Sequence, residues 1–186
     1  MCVIIVGKEG KVTDKETLKA CEHVNDDGIG VAWKTPNGPI AYRKGITFEQ
    51  VLSYNSLFKN RGFEYIIHFR FATIGDKCAR LCHPFPITPN LDEMYSLSGV
   101  AGTVMAHNGT WRSWEAAFSS KAVKRLQHTW SDSAIIAWML GKRREVRLSN
   151  SGYGNRIVLL GSEGIKLLGD GWKERDGISF SNLDWE

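Results

Sequence analysis

One stretch, Glu64 to Thr73, limits the folds open to this chain more than any other. Its alternation puts Tyr65, Ile67, Phe69 and Phe71 on one face and Ile66, His68, Arg70 and Ala72 on the other. The first face is core. The second is apolar enough for a central strand, yet it carries a histidine and, near its end, an arginine. A buried guanidinium is costly unless it is paired or opens into a cleft. The sequence therefore predicts a central strand that delivers a cation to a paired or open site before the turn at Thr73-Ile74-Gly75.

The remaining elements fall into blocks. Met1 to Gly7 reads as a short apolar strand, and Thr13 with Glu16 makes a capping-box pattern that opens a helix running to about Cys21. Val31-Ala32-Trp33 and Ile40 to Arg43 flank Pro36-Asn37-Gly38 as a hairpin. Thr47 with Gln50 repeats the capping box, starting a helix in which Phe48, Val51, Leu52 and Phe58 recur at helical spacing. Residues 76–99, with Pro84, Pro86 and Pro89, read as a loop-rich excursion, and Val100 to Ala106 reads as one strand running into His107-Asn108-Gly109. A short helix is expected from Ser113, and a second from Ser131, a good N-cap, with Asp132 in its first turn. Arg156 to Leu160, Ile165 to Leu168 and Ile178 to Ser181 read as antiparallel strands. Hairpins and helices in blocks, without βαβ alternation, make the fold class α+β.

At 186 residues, with 42% hydrophobic and 24% charged residues, the chain (1–186) is expected to form a single domain. The net charge of +4 is concentrated at Lys142-Arg143-Arg144 with Arg147, just past an apolar helical pattern. Cations suit a helix C-terminus, so this run reads as a solvated helix end before it reads as a nucleic-acid patch. Four cysteines without a signal peptide or membrane-spanning run predict free thiols and a cytoplasmic setting. Cys78, Cys82 and His83 match no zinc spacing and lack a second ligand pair; neither a metal nor a cofactor is expected.

Cys2 follows the initiator methionine, and removal of Met1 leaves a thiol and an α-amine on one residue, a nucleophile with its own base. Taken alone, Cys2 is better read as a packed strand cysteine. The order of the other motifs adds to the first reading. Cys2, Asn25-x-Asp27-Gly28-x-Gly30, His68-x-Arg70-x-Ala72-Thr73-x-Gly75, His83-Pro84-Phe85, His107-Asn108-Gly109 and Ser131-Asp132 occur in the sequence seen in class II glutamine amidotransferase domains. The chain resembles those N-terminal-nucleophile hydrolases over nearly its whole length, and the closing Ser181-Asn182 is similar to theirs.

That resemblance implies a four-layer αββα sandwich of two stacked antiparallel sheets, and a set of roles. Cys2 would attack the side-chain amide of glutamine, with Asn108 and Gly109 forming the oxyanion hole. Arg70 and Thr73 would hold the substrate carboxylate, Asp132 would receive its ammonium, and His107 would stand with the substrate-binding residues. Ile74 stands where many members have histidine, and Ser133-Ala134 where threonine or serine and then glutamate is commoner. Ammonia would pass to an acceptor or to a separate synthase or ligase. The alternative to this glutaminase is a catalytically silent module of the same fold that binds an amino acid or a protein partner. A basic nucleic-acid binder is a third reading, resting on charge alone.

Overall fold

The computed structural model describes residues 1–36, 38–111, 130–146 and 154–186. In chain order these form β1 (Val3–Gly7), α1 (Lys15–Val24), β2 (Ile29–Lys34), β3 (Ile40–Ile46), α2 (Phe48–Arg61), β4 (Tyr65–Phe69), β5 (Phe85–Pro86), α3 (Leu91–Tyr95), β6 (Ser98–Ala101), β7 (Thr103–Asn108), α4 (Asp132–Gly141), β8 (Arg156–Gly161), β9 (Gly164–Leu168), β10 (Lys173–Arg175) and β11 (Ile178–Phe180). The helix expected from Ser113, Asn37 of the hairpin and Arg147 of the basic run lie outside the described residues.

β4 is buried along its whole length because it lies between β1 and β2 in a seven-stranded antiparallel sheet of order β10-β11-β1-β4-β2-β3-β6. The strand ends at Phe69, four residues before the expected Thr73. Beyond it the Arg70 N–H bonds to Gly28 O at 2.8 Å and the Asp27 N–H to Arg70 O at 3.0 Å, so the next partner is a turn rather than a strand. Phe71, assigned by alternation to the core face, is 46% exposed for that reason.

Caps explain the helices. Thr47 and Gln50 make the expected reciprocal capping box, and the left-handed Gly62 ends α2. The first helix is capped by Asp14 instead of Thr13, because Asp14 accepts both the backbone N–H and the hydroxyl of Thr17 at 2.8 Å. It runs on to Val24. Leu18, Cys21, Val51 and Phe58 of α1 and α2 pack on Val3, Ile5, Val31, Tyr65 and Ile67 of the sheet.

The other face of that sheet, with Ile4, Val6, Ala32 and Ile66, meets Val104, Ala106, Val158 and Leu160 of a second antiparallel sheet, β5-β7-β8-β9. The far side of the second sheet, at Phe85, Met105 and Ile157, packs on Met94 of α3 and Ala134 to Ala137 of α4. The fold is α+β with two antiparallel sheets and helices, an arrangement compatible with a sandwich. The single strand expected over Val100–Ala106 is two, divided at Gly102: β6 closes the edge of the first sheet and β7 enters the second. The stretch Val100-Ala101-Gly102-Thr103-Val104 has no apolar–polar alternation to mark where the chain changes sheets. No helix among the described residues is long and apolar enough to cross a membrane.

The excursion at 76–99 is more ordered than its prolines suggest, with a 3-10 turn at Ala79–Leu81 followed by β5 and α3. Lys44, only 3% exposed, ties it down. Its ammonium donates to Arg80 O and Met94 O, each at 2.8 Å, and lies 4.7 Å over the Phe85 ring. Desolvation lowers this amine from its ordinary 10.5 to about 7. Between those values the unfolded chain holds a proton that the folded chain has lost, so this residue's contribution to stability rises with pH. The unfolding free energy of wild type minus that of Lys44→Met, measured in urea, is expected to increase from pH 7 to pH 10; a flat or falling difference refutes the assignment.

Candidate active site

The register Val3↔Phe69 between β1 and β4 sets Cys2 beside Arg70 at the end of the ladder. β7 brings His107 and Gly109 to the same end, and the first turn of α4 brings Asp132. One cavity is lined by Cys2, Arg70, Thr73, His107, Gly109 and Asp132 together with Phe71, Ile74, His83 and Ser133. Six of the seven residues singled out from the sequence therefore share its wall, and Asn108 lies behind it. The free volume is about 20 Å³, enough for one water. A molecule the size of an amino acid enters only if the outer wall, where Phe71 and Thr73 are exposed, moves outward.

Cys2 is fixed on three sides. Its thiol donates to Phe71 O and its sulfur accepts from Phe71 N–H, both at 3.2 Å, while the Asn182 amide donates to Cys2 O at 2.7 Å. Ser181 holds the next residue, accepting from Ile4 N–H at 2.9 Å. Burial pushes the thiol above its ordinary pKa; Asp132 adds to the rise, while the Phe71 N–H, the terminal ammonium and Arg70 partly offset it.

The two charged groups facing the cavity have no ionic partners among the described residues. Arg70 is 3% exposed and donates from Nη1 to Asp76 O at 2.9 Å; Nη2 has no acceptor. The nearby carboxylate, Asp27, is engaged elsewhere, with Lys77 at 2.6 Å and with the Ala72 N–H at 2.7 Å. Burial works to raise the Asp27 carboxyl, and these partners together with Arg70 outweigh it and hold it low. Asp132 accepts from Trp111 N–H at 2.7 Å and Ser133 N–H at 2.9 Å but meets no cation. Ser131 caps α4 as expected, accepting from Ala134 N–H at 3.1 Å. A carboxylate in the first turn of a helix interacts favourably with the helix dipole.

His107 has both ring nitrogens engaged, Nδ1 with Ser133 Oγ and Nε2 with Asn155 Oδ1, each at 2.9 Å. It holds Ser133 and Asn155 in place and has no nitrogen left for a ligand. Gly109 adopts φ +145°, and a Cβ there would collide with the Asn155 amide and sit 3.0 Å from His107 Nε2. Asn108 donates from Nδ2 to Ser181 Oγ at 2.9 Å and leaves Oδ1 without a partner. A half-turn of that amide lets the Ser181 hydroxyl donate to Oδ1 and frees Nδ2 as a donor, which satisfies more groups at the same positions. Thr73 Oγ1 lies 3.4 Å from Thr110 Oγ1. Ile74 packs against the cluster that includes Trp130 and Ile135, and Ala134 is wholly buried in the same cluster. Both departures thus add to apolar packing.

Sequence reasoning missed the Phe71 backbone clamp, the Ser133–His107–Asn155 chain and the histidine pair His68 and His83. The two rings of that pair lie 4.0 Å apart, and among the described residues none of their nitrogens has a hydrogen-bond partner. Burial, reinforced by Arg70, lowers His68 to about 3, and burial lowers His83 well below its ordinary value, so both stay uncharged beside the guanidinium. No group of three or more metal-ligating side chains occurs among the described residues.

No protein-family model matches the chain, and no curated protein matches it. Among solved structures, a glutamine aminotransferase class-II domain protein from Silicibacter pomeroyi aligns with a TM-score of 0.35 and 10% identity, over 92% of this chain and 100% of that one. That likeness is slight.

Two outcomes follow from the geometry. Gly109→Ala is expected to lower the unfolding free energy by roughly 1–3 kcal/mol in a urea titration; no loss means that the loop relaxes freely around the new methyl. Site-resolved alkylation of Cys2 in the chain retaining Met1 is expected to titrate above an unstructured cysteine peptide, and above that again in Arg70→Gln. A midpoint below the peptide's contradicts both.

Proposed function

We propose that this cavity is the active site of a glutaminase of the N-terminal-nucleophile type, built on a four-layer αββα sandwich. The observation that carries the reading is the convergence of Cys2, an Arg70 guanidinium without a carboxylate and an Asp132 carboxylate without a cation on one cavity wall. An α-amino acid presents the matching pair of charges, and a thiol beside them suits attack on its side-chain amide. The order in which the three apolar clusters stack, helices on sheet, sheet on sheet and sheet on helices, supports the architecture.

Once Met1 is removed, the Cys2 α-amine, with a reference pKa of about 7.7–8.0, takes the thiol proton as sulfur attacks the amide carbon. The Gly109 N–H and the Asn108 Nδ2, freed by the half-turn, are the donors assigned to the oxyanion. The proton passes to the leaving nitrogen, ammonia departs, and a thioester on Cys2 remains. Water then attacks the thioester and glutamate is released. Arg70 Nη2 is assigned to the substrate carboxylate and Asp132 to its ammonium. His107 is assigned a positioning role, since both of its nitrogens are in use. The ammonia is released to an acceptor or to a partner synthase or ligase.

A second reading, a module that binds an amino acid without turnover, is favoured by the raised Cys2 thiol. One experiment separates them. Intact mass should show loss of Met1, and the processed chain should release ammonia from glutamine. Cys2→Ala should fall to background, and Arg70→Gln should raise KM about 10²-fold, a typical effect of losing a buried charged contact. Glutamine binding without ammonia release by the processed chain selects the module; absence of both discards the two readings together.

A further inference from the structure

Residues 1 and 2 face different clefts. Cys2 lines the small cavity, whereas Met1 lines a larger one of about 370 Å³ whose other walls include Arg156, Gly171, Lys173, Asn182 and Asp184. That volume is within the range of small-molecule sites. The Asn182 side chain, which holds Cys2 O, forms part of its wall.

Arg156 is built into this cleft. Gly169 and Gly171 both adopt left-handed φ, +85° and +83°, and the turn between them lies against Asn155 and Arg156. A Cβ at Gly171 would come within 2.5 Å of Arg156 Nη2, so the guanidinium lies directly against this left-handed glycine. The Nε of Arg156 is buried and has no hydrogen-bond acceptor, and the side chain makes no ion pair among the described residues. An unsatisfied buried charged donor is expensive to keep. Lys173, on the fully exposed β10, adds a second cation to the wall, and Asp184 is the one carboxylate among its described residues.

We propose that this cleft is a second binding site, for a small organic anion whose carboxylate or phosphate meets Arg156 and Lys173. A planar guanidinium suits either anion. The site stands on Arg156 and its cradle, independently of the chemistry assigned to Cys2.

Calorimetry on the full chain at fixed ionic strength tests it, with inorganic phosphate and succinate as separate probes. At least one probe is expected to bind wild type at one equivalent and to bind Arg70→Gln equally well, which places it outside the small cavity. Arg156→Gln should weaken binding at least tenfold, and Lys173→Gln, on an exposed strand that tolerates change, about threefold. Tighter binding of phosphate identifies a phosphoryl ligand, and tighter succinate a carboxylate. Absence of binding by wild type with both probes overturns the proposal. So does binding that Arg70→Gln abolishes, or binding that both Lys173→Gln and a folded Arg156→Gln leave unchanged.

Discussion

The antiparallel ladder between β1 and β4 is the contact on which the site depends. Its register, Val3↔Phe69 through Gly7↔Tyr65, determines that the residue before β1 lies beside the residue after β4. Those residues are Cys2 and Arg70. A slip of one position would exchange the two faces of β1. Val3 and Ile5 pack toward the helices, whereas Ile4 and Val6 pack toward the second sheet. Both sets are buried, so a slipped register loses complementarity on two sides at once. The hydrophobic layers therefore fix the position of the thiol relative to the guanidinium, although neither residue belongs to those layers.

Buried charge is treated in two ways in this fold. Lys44 is surrounded by two carbonyl oxygens and an aromatic face, and its desolvation lowers its affinity for a proton. It is a structural cation, satisfied by the excursion that it anchors. Arg70 has the same burial with only one carbonyl acceptor, and it cannot discharge because a guanidinium keeps its proton at any working pH. The difference is one missing acceptor, on a side chain that lines a cavity. Asp132 complements it: two backbone donors satisfy the carboxylate oxygens, yet no cation neutralises the charge among the described residues.

Much of this was legible in the sequence. The alternation of Glu64 to Thr73 located the central strand, and a cation that such a strand rarely tolerates located the cavity. Capping chemistry placed α2 and α4 because those signals are local; it misplaced the first cap by one residue because Asp14 competes with Thr13 for the same helix start. What remained hidden was non-local. The anchoring of residues 79–95 by Lys44 spans up to 50 positions, and the His107 contacts to Ser133 and Asn155 join three segments distant in sequence. The change of sheet at Gly102 was marked only by the glycine itself, a weak local signal. Phe71 was misassigned because periodicity continued past the last ladder bond.

That last residue governs access. The thiol of Cys2 is held in both directions by the Phe71 backbone, and hydrogen bonds of sulfur are weak. The loop that carries Phe71 is tied to the body by Asp27, through the Ala72 N–H and a Lys77 ion pair whose lysine is 70% exposed, by the Arg70 bond to Asp76 O and by Ile74, which packs in the apolar cluster. The apolar ring of Phe71 is largely in water, so lifting it sacrifices little burial. The inner wall, by contrast, is held by the β1 and β4 ladder, by the His107 chain and by a glycine that admits no side chain. The cavity, with room for one water, thus has a floor held by the ladder and an outer wall in which the Phe71 backbone clamps the thiol while its ring is largely exposed.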